Sequence, residues 1–198
     1  MCIRDRYEIV ETLYGTELKV PYVVLGHSMG SIIARLFVMR YPEFADGLIL
    51  TGTGMFPKWK GVPATFALKL ITMILGKRRR VNWVNKLVNK SFNKRISNPL
   101  TESDWISTRR DEVEKFVKDE YCGFKVSNQL IYQTVKFMML TIEPKCLDKL
   151  NKQLPILLIS GKEDPFGDYG KGIKQLGKLY KKSGIKHITC LLYTSDAA

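Results

Sequence analysis

Apolar and polar positions divide the chain into three stretches. In the first, Tyr22, Val23, Val24 and Leu25 form a short, apolar, β-branched run that predicts a buried strand. Ile32, Ile33, Leu36, Phe37 and Tyr41 then recur at helical spacing, which predicts a helix straight after Gly30. It should end near Arg40-Tyr41-Pro42, because a proline biases the preceding residue away from helix. Gly47 to Thr51 predicts a second buried strand, closed by Gly52 and Gly54. Strand, helix and strand at this spacing predict a right-handed parallel βαβ unit. Upstream, Ile9, Val10 and Leu13 predict the end of a helix over Tyr7 to Leu13, and Gly15 to Pro21 reads as a loop.

The second stretch, Phe56 to Asn151, has no strand-like alternation. Helical spacing predicts helices over Ala64 to Leu75, Val81 to Phe92, Asp111 to Val117 and Ser127 to Leu140, with another start at Thr101 to Trp105. In the third stretch, Ile156 to Ser160 predicts a third buried strand, and Gly161 to Pro165 the loop at its carboxyl end. Tyr169 to Lys182 predicts a helix stopped by Gly184, and Lys186 to Leu192 a fourth strand. The expected class is therefore α/β, with a mostly parallel sheet. Its core spans 1–52 and 155–198, and a helical cap is inserted at 53–154.

The chain has 198 residues, enough for one domain with a sizeable core, and its 45% hydrophobic content is ordinary. No apolar run reaches the ~20 residues that span a bilayer; the longest apolar-rich stretch, Val62 to Leu75, contains Lys69. Met1 to Glu11 is polar and charged, unlike a signal peptide, so a cytoplasmic protein is expected. Cys2, Cys122, Cys146 and Cys190 have no Cys-x-x-Cys spacing and read as free thiols.

Charge changes this picture more. The net charge is +13. Between Thr53 and Leu100 stand Lys58, Lys60, Lys69, Lys77, Arg78, Arg79, Arg80, Lys86, Lys90, Lys94 and Arg95, with no Asp or Glu. Such asymmetry points to an anionic partner, a lipid surface or an anionic substrate, or else to a solvated basic face. No nucleic-acid module is present, and aromatic residues are not interleaved with the basic ones in a binding signature, so no nucleic-acid partner is expected.

The candidate chemistry lies at Gly26-His27-Ser28-Met29-Gly30. By composition a bare Gly-x-Ser-x-Gly arises in about one chain in fifteen of this length. Here a predicted strand precedes it and a predicted helix follows. The turn is strained, and flanking glycines would let strand and helix approach. The serine oxygen would project near a helix start, where free N–H groups favour negative charge.

This strand-to-helix serine turn, the helical insert and the later Gly161-Lys162-Glu163-Asp164-Pro165 loop together resemble the α/β-hydrolase family. The nearest subgroup is the monoacylglycerol lipase and lysophospholipase type, often described as serine aminopeptidase-like. Gly-His-Ser-Met-Gly is that subgroup's usual elbow; Pro99 to Trp105 and Tyr121-Cys122-Gly123-Phe124 resemble its cap. The likeness covers roughly residues 7 to 190. It implies Ser28 as nucleophile, Asp164 as the acid orienting a histidine, and the Met29 N–H as one oxyanion donor. Glu163 and Asp168 compete with Asp164, and Gly-x-x-Asp-Pro is also ordinary turn chemistry. The implied reaction is acyl transfer to Ser28 and hydrolysis of the acyl-enzyme, on lipid esters such as monoacylglycerols or lysophospholipids, with no cofactor.

The resemblance leaves the base without a candidate. The family's order is Ser, acid, His. His27 lies inside the elbow and reads as structural. His187 has the right order, but lies at the amino end of its strand, roughly 16 Å from the edge where the site belongs. Nothing before Tyr7 supplies the first strands or the second oxyanion donor. Met1 to Arg6 and Leu191 to Ala198 resemble adapter-derived tails. A truncated, inactive piece of a longer hydrolase is therefore expected. Peptidase or thioesterase activity on the same scaffold, or a non-catalytic basic module binding lipid surfaces or proteins, are the competing readings.

Overall fold

Four apolar runs pair into one sheet because each is short and β-rich, and the helices between successive runs are long enough to return the chain for parallel pairing. A computed structural model describes residues 8–9, 11–12 and 21–194. Strands β1 (Val23–His27), β2 (Gly47–Thr51), β3 (Ile156–Gly161) and β4 (Ile188–Tyr193) lie in the order β1-β2-β3-β4, all parallel. Helix α1 (Met29–Arg40) links β1 to β2, and α7 (Lys171–Lys182) links β3 to β4. Between β2 and β3 come α2 (Lys58–Leu75), α3 (Asn82–Phe92), α4 (Arg110–Lys118), α5 (Asn128–Leu140) and the short α6 (Pro144–Leu147). The carboxyl ends of all four strands, with the loops after them, therefore share one edge.

The pairing register decides what is buried. Val24, Leu48, Ile156 and Ile188 form one row across the sheet, and Gly26, Leu50 and Leu158 the next row on the same face. Phe37 and Val38 of α1 and Ile173, Leu176 and Tyr180 of α7 join these rows in a single core. The end of the insertion joins it as well, through Met139, Ile142, Leu147, Leu150 and Leu154.

The opposite face is less covered, which corrects the expectation of a buried first strand. Val23 is 49% exposed and Leu25 64%, and Leu191 on the same face is also exposed. A parallel strand is normally covered on both faces. Here β1 is an edge strand, paired only with β2 among the described residues, and those residues leave Val23 and Leu25 on its second face exposed.

Three helix starts also differ. Thr101 to Trp105 yields only a single 3-10 turn, Asp104–Ile106. The Asp104 carboxylate turns back to accept from the Leu100 N–H (2.7 Å), the Thr101 N–H (3.1 Å) and the Thr101 hydroxyl, and Arg110 pairs with it. The backbone bonds it completes belong to a turn, so no helix propagates. The last helix starts at Lys171, not Tyr169, because Asp168, Tyr169 and Gly170 all have left-handed φ (49°, 55° and 77°). The helix expected from Ala64 begins six residues earlier, at Lys58, with Pro63 inside it; the remaining helices of the insertion form close to their expected bounds, and Ser127 caps α5, its Oγ accepting from the Leu130 N–H at 3.3 Å.

Cys122, Cys146 and Cys190 are free thiols. Cys2, residues 195–198 and most of the first twenty lie outside the described residues. Of the helix read over Tyr7 to Leu13, residues 8–9 and 11–12 are helical. No helix among the described residues is long and apolar enough to cross a membrane.

Asp104 generates a prediction. Burial works against its charge, but the Thr101 hydroxyl, the Leu100 N–H, Arg110 and the Thr101 N–H together hold its pKa below the ordinary aspartate value. A lowered folded pKa gives stability that is present above the unfolded value near ~3.9 and is lost as pH falls through the folded one. Asp104→Asn should cost about 1–3 kcal/mol at pH 7. The gap from wild type should close below about pH 4, as read by urea unfolding at both pH values.

Candidate active site

One residue separates β1 from α1. Ser28 follows the last strand residue, His27, and precedes the first helix residue, Met29. The reversal forces Ser28 to φ 51°, ψ −119°, a conformation that costs a non-glycine residue free energy and persists only where the surroundings hold it. The holding bonds are visible. The Ser28 N–H donates to the Thr51 carbonyl of β2 at 3.0 Å. The Ser28 carbonyl accepts from the Ser31 N–H at 3.0 Å and the Ser31 hydroxyl at 2.6 Å.

The flanking glycines have different roles. A Cβ on Gly26 would lie 2.6 Å from the Gly30 carbonyl oxygen, 2.7 Å from Ala34 Cβ and 2.8 Å from Ser31 Cα, so strand and helix touch only because Gly26 has none. A Cβ on Gly30 would meet nothing within 4 Å. The expectation that both glycines permit the approach is corrected: Gly30, on the helix, points away from β1.

The loop after β2 is packed behind the elbow. Ser31 Oγ and Thr53 Oγ1 are hydrogen-bonded at 2.8 Å, and Arg35 Nη1 donates to the Gly54 carbonyl at 3.0 Å. Ser31, Arg35 and Thr53 are fully buried. Arg35 stands in the otherwise apolar helix sequence IIARLFVM, and its Nε and Nη2 are buried without a hydrogen-bond partner.

On the far side of that loop lies Asp164, 6% exposed. Its Oδ2 accepts from the Ser160 hydroxyl at 2.9 Å and its Oδ1 from the Phe166 N–H at 2.8 Å. A Cβ on Gly54 would lie 2.7 Å from the Phe166 carbonyl oxygen, and one on Gly167 would lie 3.3 Å from the Thr53 carbonyl oxygen and 3.0 Å from Ser160 Oγ. The β2 loop is thus wedged between the elbow and the acid loop. Ser28 follows β1 and Asp164 follows β3, so both stand at the carboxyl edge, two strand spacings or roughly 10 Å apart along the sheet. Of the competing carboxylates, Glu163 is exposed and Asp168 half-buried.

Neither histidine joins them. His27 Nδ1 lies 2.8 Å from Thr51 Oγ1, which holds the ring against β2. His187 precedes β4, and its carbonyl accepts from the Ile156 N–H at 2.8 Å, at the amino edge of the sheet. Met29, the first residue of α1, is where a helix leaves its N–H groups without intrahelical acceptors.

A cavity of about 400 Å³ opens between the insertion and the acid loop, lined by Phe92, Arg95, Trp105, Asp164, Tyr169 and Thr194 among others. It takes in Asp164 but not Ser28. Phe92 and Trp105 stack at 4.7 Å between centroids, and the Arg95 guanidinium lies 3.5 Å over the Tyr169 ring. Burial pushes the Tyr169 and Tyr193 phenols above the ordinary tyrosine pKa; the Asp164 carboxylate adds to both, while Arg95 opposes it at Tyr169. Ser31, Thr53, Arg35 and Ser160 were not legible as site residues. Only Arg35, a charge amid an apolar helical run, carries a sequence signal.

The model of the family described as serine aminopeptidase, S33, matches residues 1–195. No curated protein matches the sequence. Among solved structures, the chain resembles a thermostable carboxyl esterase from Bacillus coagulans solved with glycerol (27% identity, TM-score 0.85, 98% of this chain and 63% of that one). It also resembles a lipase in an open form (24% identity, TM-score 0.82, 98% and 63%). A monoglyceride lipase from Saccharomyces cerevisiae with a substrate analogue shares the fold at 15% identity (TM-score 0.69, 98% and 60%). The chain thus spans less than two thirds of each of these.

The two elbow glycines should respond oppositely to alanine. Gly26→Ala should cost at least about 3 kcal/mol or prevent folding. Gly30→Ala should be neutral or stabilise by up to about 1 kcal/mol, since it lies in a helix with space around it. Urea midpoints of the two variants check this.

Proposed function

The chain belongs to the serine aminopeptidase S33 family of hydrolases, and on that premise we propose that it carries the nucleophile and acid of a serine hydrolase acting on carboxylic esters of lipids. The observation that carries the reading is Ser28 held in a left-handed conformation at a one-residue strand-to-helix turn. Such strain is retained where a function needs the side chain presented above the sheet. Ser28 attacks the ester carbonyl, and the Met29 N–H donates to the oxyanion that forms. Alcohol leaves, and water releases the acid from the acyl-serine. Asp164 orients the base and stabilises it when charged; its own bonds to Ser160 and Phe166 fix the carboxylate for that purpose.

Esters are favoured over peptides by the resemblance to the carboxyl esterase. Monoacylglycerols and lysophospholipids suit a cavity beside the acid loop that presents Phe92 and Trp105 from the helical insertion, and the basic span Thr53 to Leu100 favours an anionic surface or head group over a neutral one. Peptide or thioester substrates on the same scaffold remain the second reading, since fold and triad are shared and the pocket decides.

The base is neither His27, tied to Thr51, nor His187, at the wrong edge. The 198-residue chain should therefore show no turnover of acyl esters above a Ser28→Ala control; clear Ser28-dependent turnover would overturn that inference. In a longer polypeptide carrying this chain, a fluorophosphonate probe should label Ser28, and Ser28→Ala should abolish labelling and lower ester hydrolysis at least about 10³-fold. Labelling that survives the substitution would sink the serine-hydrolase reading.

A further inference from the structure

Helix α2 has two apolar faces, and only one is packed. Its inner face lies on α5: Gly61 is a glycine because a Cβ there would lie 2.0 Å from Met139 Sδ, and Thr72 reaches the Asn128 carbonyl at 3.4 Å. On the other side Trp59, Val62, Phe66, Leu70 and Met73 follow at spacings of three and four, one continuous stripe along the helix. They are exposed, Trp59 by 72% and Phe66 by 63%, and Ile74 beside them by 78%. A helix apolar all round is expected inside a protein. This one keeps six large apolar side chains outside.

The surroundings of the stripe indicate what covers it. Lys58 and Lys69 lie along one flank and Lys60 on the other, its Nζ 5.0 Å from the centre of the Trp59 ring. Lys58 also pairs with Glu143 at 3.0 Å. Directly after the helix come Lys77, Arg78, Arg79 and Arg80, all exposed. Their backbone is anchored: Asn128 Nδ2 donates to the Gly76 carbonyl, the Asn128 N–H to that of Arg79 and the Gln129 N–H to that of Lys77, at 2.9–3.1 Å. The basic turn is thus built onto the start of α5 at a fixed place beyond the stripe. No acidic residue lies between Thr53 and Leu100. The next helix, α3, exposes Trp83 and Leu87 beside Lys86 and Lys90.

We propose that α2 docks this chain onto an anionic lipid bilayer, lying in the headgroup plane with Trp59, Phe66 and Met73 in the acyl boundary and Lys77 to Arg80 on the headgroups. This deepens the lipid-ester reading by naming the surface on which the esters are met. The stripe runs along the convex back of a single helix, so it fits a plane and forms no groove for a peptide. A second copy would bring basic against basic, so the charge selects an anionic occupant. Lysines flanking an aromatic-rich apolar face reach back to the headgroups while their stems stay apolar.

The test uses the 198-residue chain with vesicles of phosphatidylcholine alone or mixed with phosphatidylglycerol. The chain should float with the anionic vesicles only, with a blue shift of tryptophan emission. Partition should fall at least about tenfold by about 0.5 M salt. Phe66→Ser with Met73→Ser, both at exposed positions, should weaken partition and remove most of the blue shift while the circular dichroism is unchanged. Arg78→Glu with Arg79→Glu should lower partition roughly fivefold or more per position. Equal binding to neutral vesicles, an unshifted emission, or wild-type partition of either double variant would overturn the proposal. Retention on a soluble polyanion without vesicle binding would also overturn it, in favour of an acidic protein partner. Ser28→Ala should float as wild type, so loss of docking and loss of serine chemistry are read separately.

Discussion

The hydrogen bond from the Ser28 N–H to the Thr51 carbonyl is the point from which the rest of the site is arranged. It extends the β1–β2 ladder one residue past the strand, where the chain has already begun to turn into α1. That turn is possible only because Gly26 lets the strand back onto Ala34 and Ser31. The constraint is local and severe: one residue must reverse direction, and it must do so with positive φ. Held from both sides, Ser28 cannot relax into the adjoining helix, and its side chain stays at the carboxyl edge of the sheet.

From there a line of buried polar groups leads to Asp164. Ser31 joins the elbow to Thr53, Arg35 holds the Gly54 carbonyl, and Gly54 and Gly167 let the β2 loop press against the acid loop, where Ser160 donates to Asp164. Buried polar groups are costly unless bonded, so such a line tolerates few arrangements. The separation of Ser28 and Asp164 is therefore fixed by packing within the loop between them. Arg35 is the charged member of this line: it is fully buried, and its Nη1 is the nitrogen bonded to the loop.

The insertion follows a different logic. Its far end, α5 and α6, buries Met139, Ile142 and Leu147 in the same core as the sheet and so behaves as part of the scaffold. Its near end, α2 and α3, turns aromatic and basic side chains outward. Where it meets the acid loop, Arg95 rests on Tyr169, a bulky residue at positive φ next to the cavity. The insertion thus connects an outward-facing surface to the edge of the sheet where Ser28 and Asp164 stand.

Much of this was legible in the order of residues. Strands at Gly47–Thr51 and Ile156–Gly161, the helices, the serine turn and the acid loop all announce themselves through periodicity and through glycine and proline, because these signals act over a few residues. The sequence alone also determined that its two histidines stand before Ser28 and at the amino end of a strand. Exposure of Val23 and Leu25 was not legible, since burial of a strand depends on which elements lie beside and above it. Nor was the separate role of Gly26 and Gly30, which depends on where each Cβ points. The partnership of Ser31, Thr53, Arg35 and Ser160 joins residues up to 129 positions apart by number. Only the parallel pairing of β1, β2 and β3 brings their loops to one edge. Short-range patterns wrote the elements and the candidate chemistry; strand order and register decided which of those residues meet.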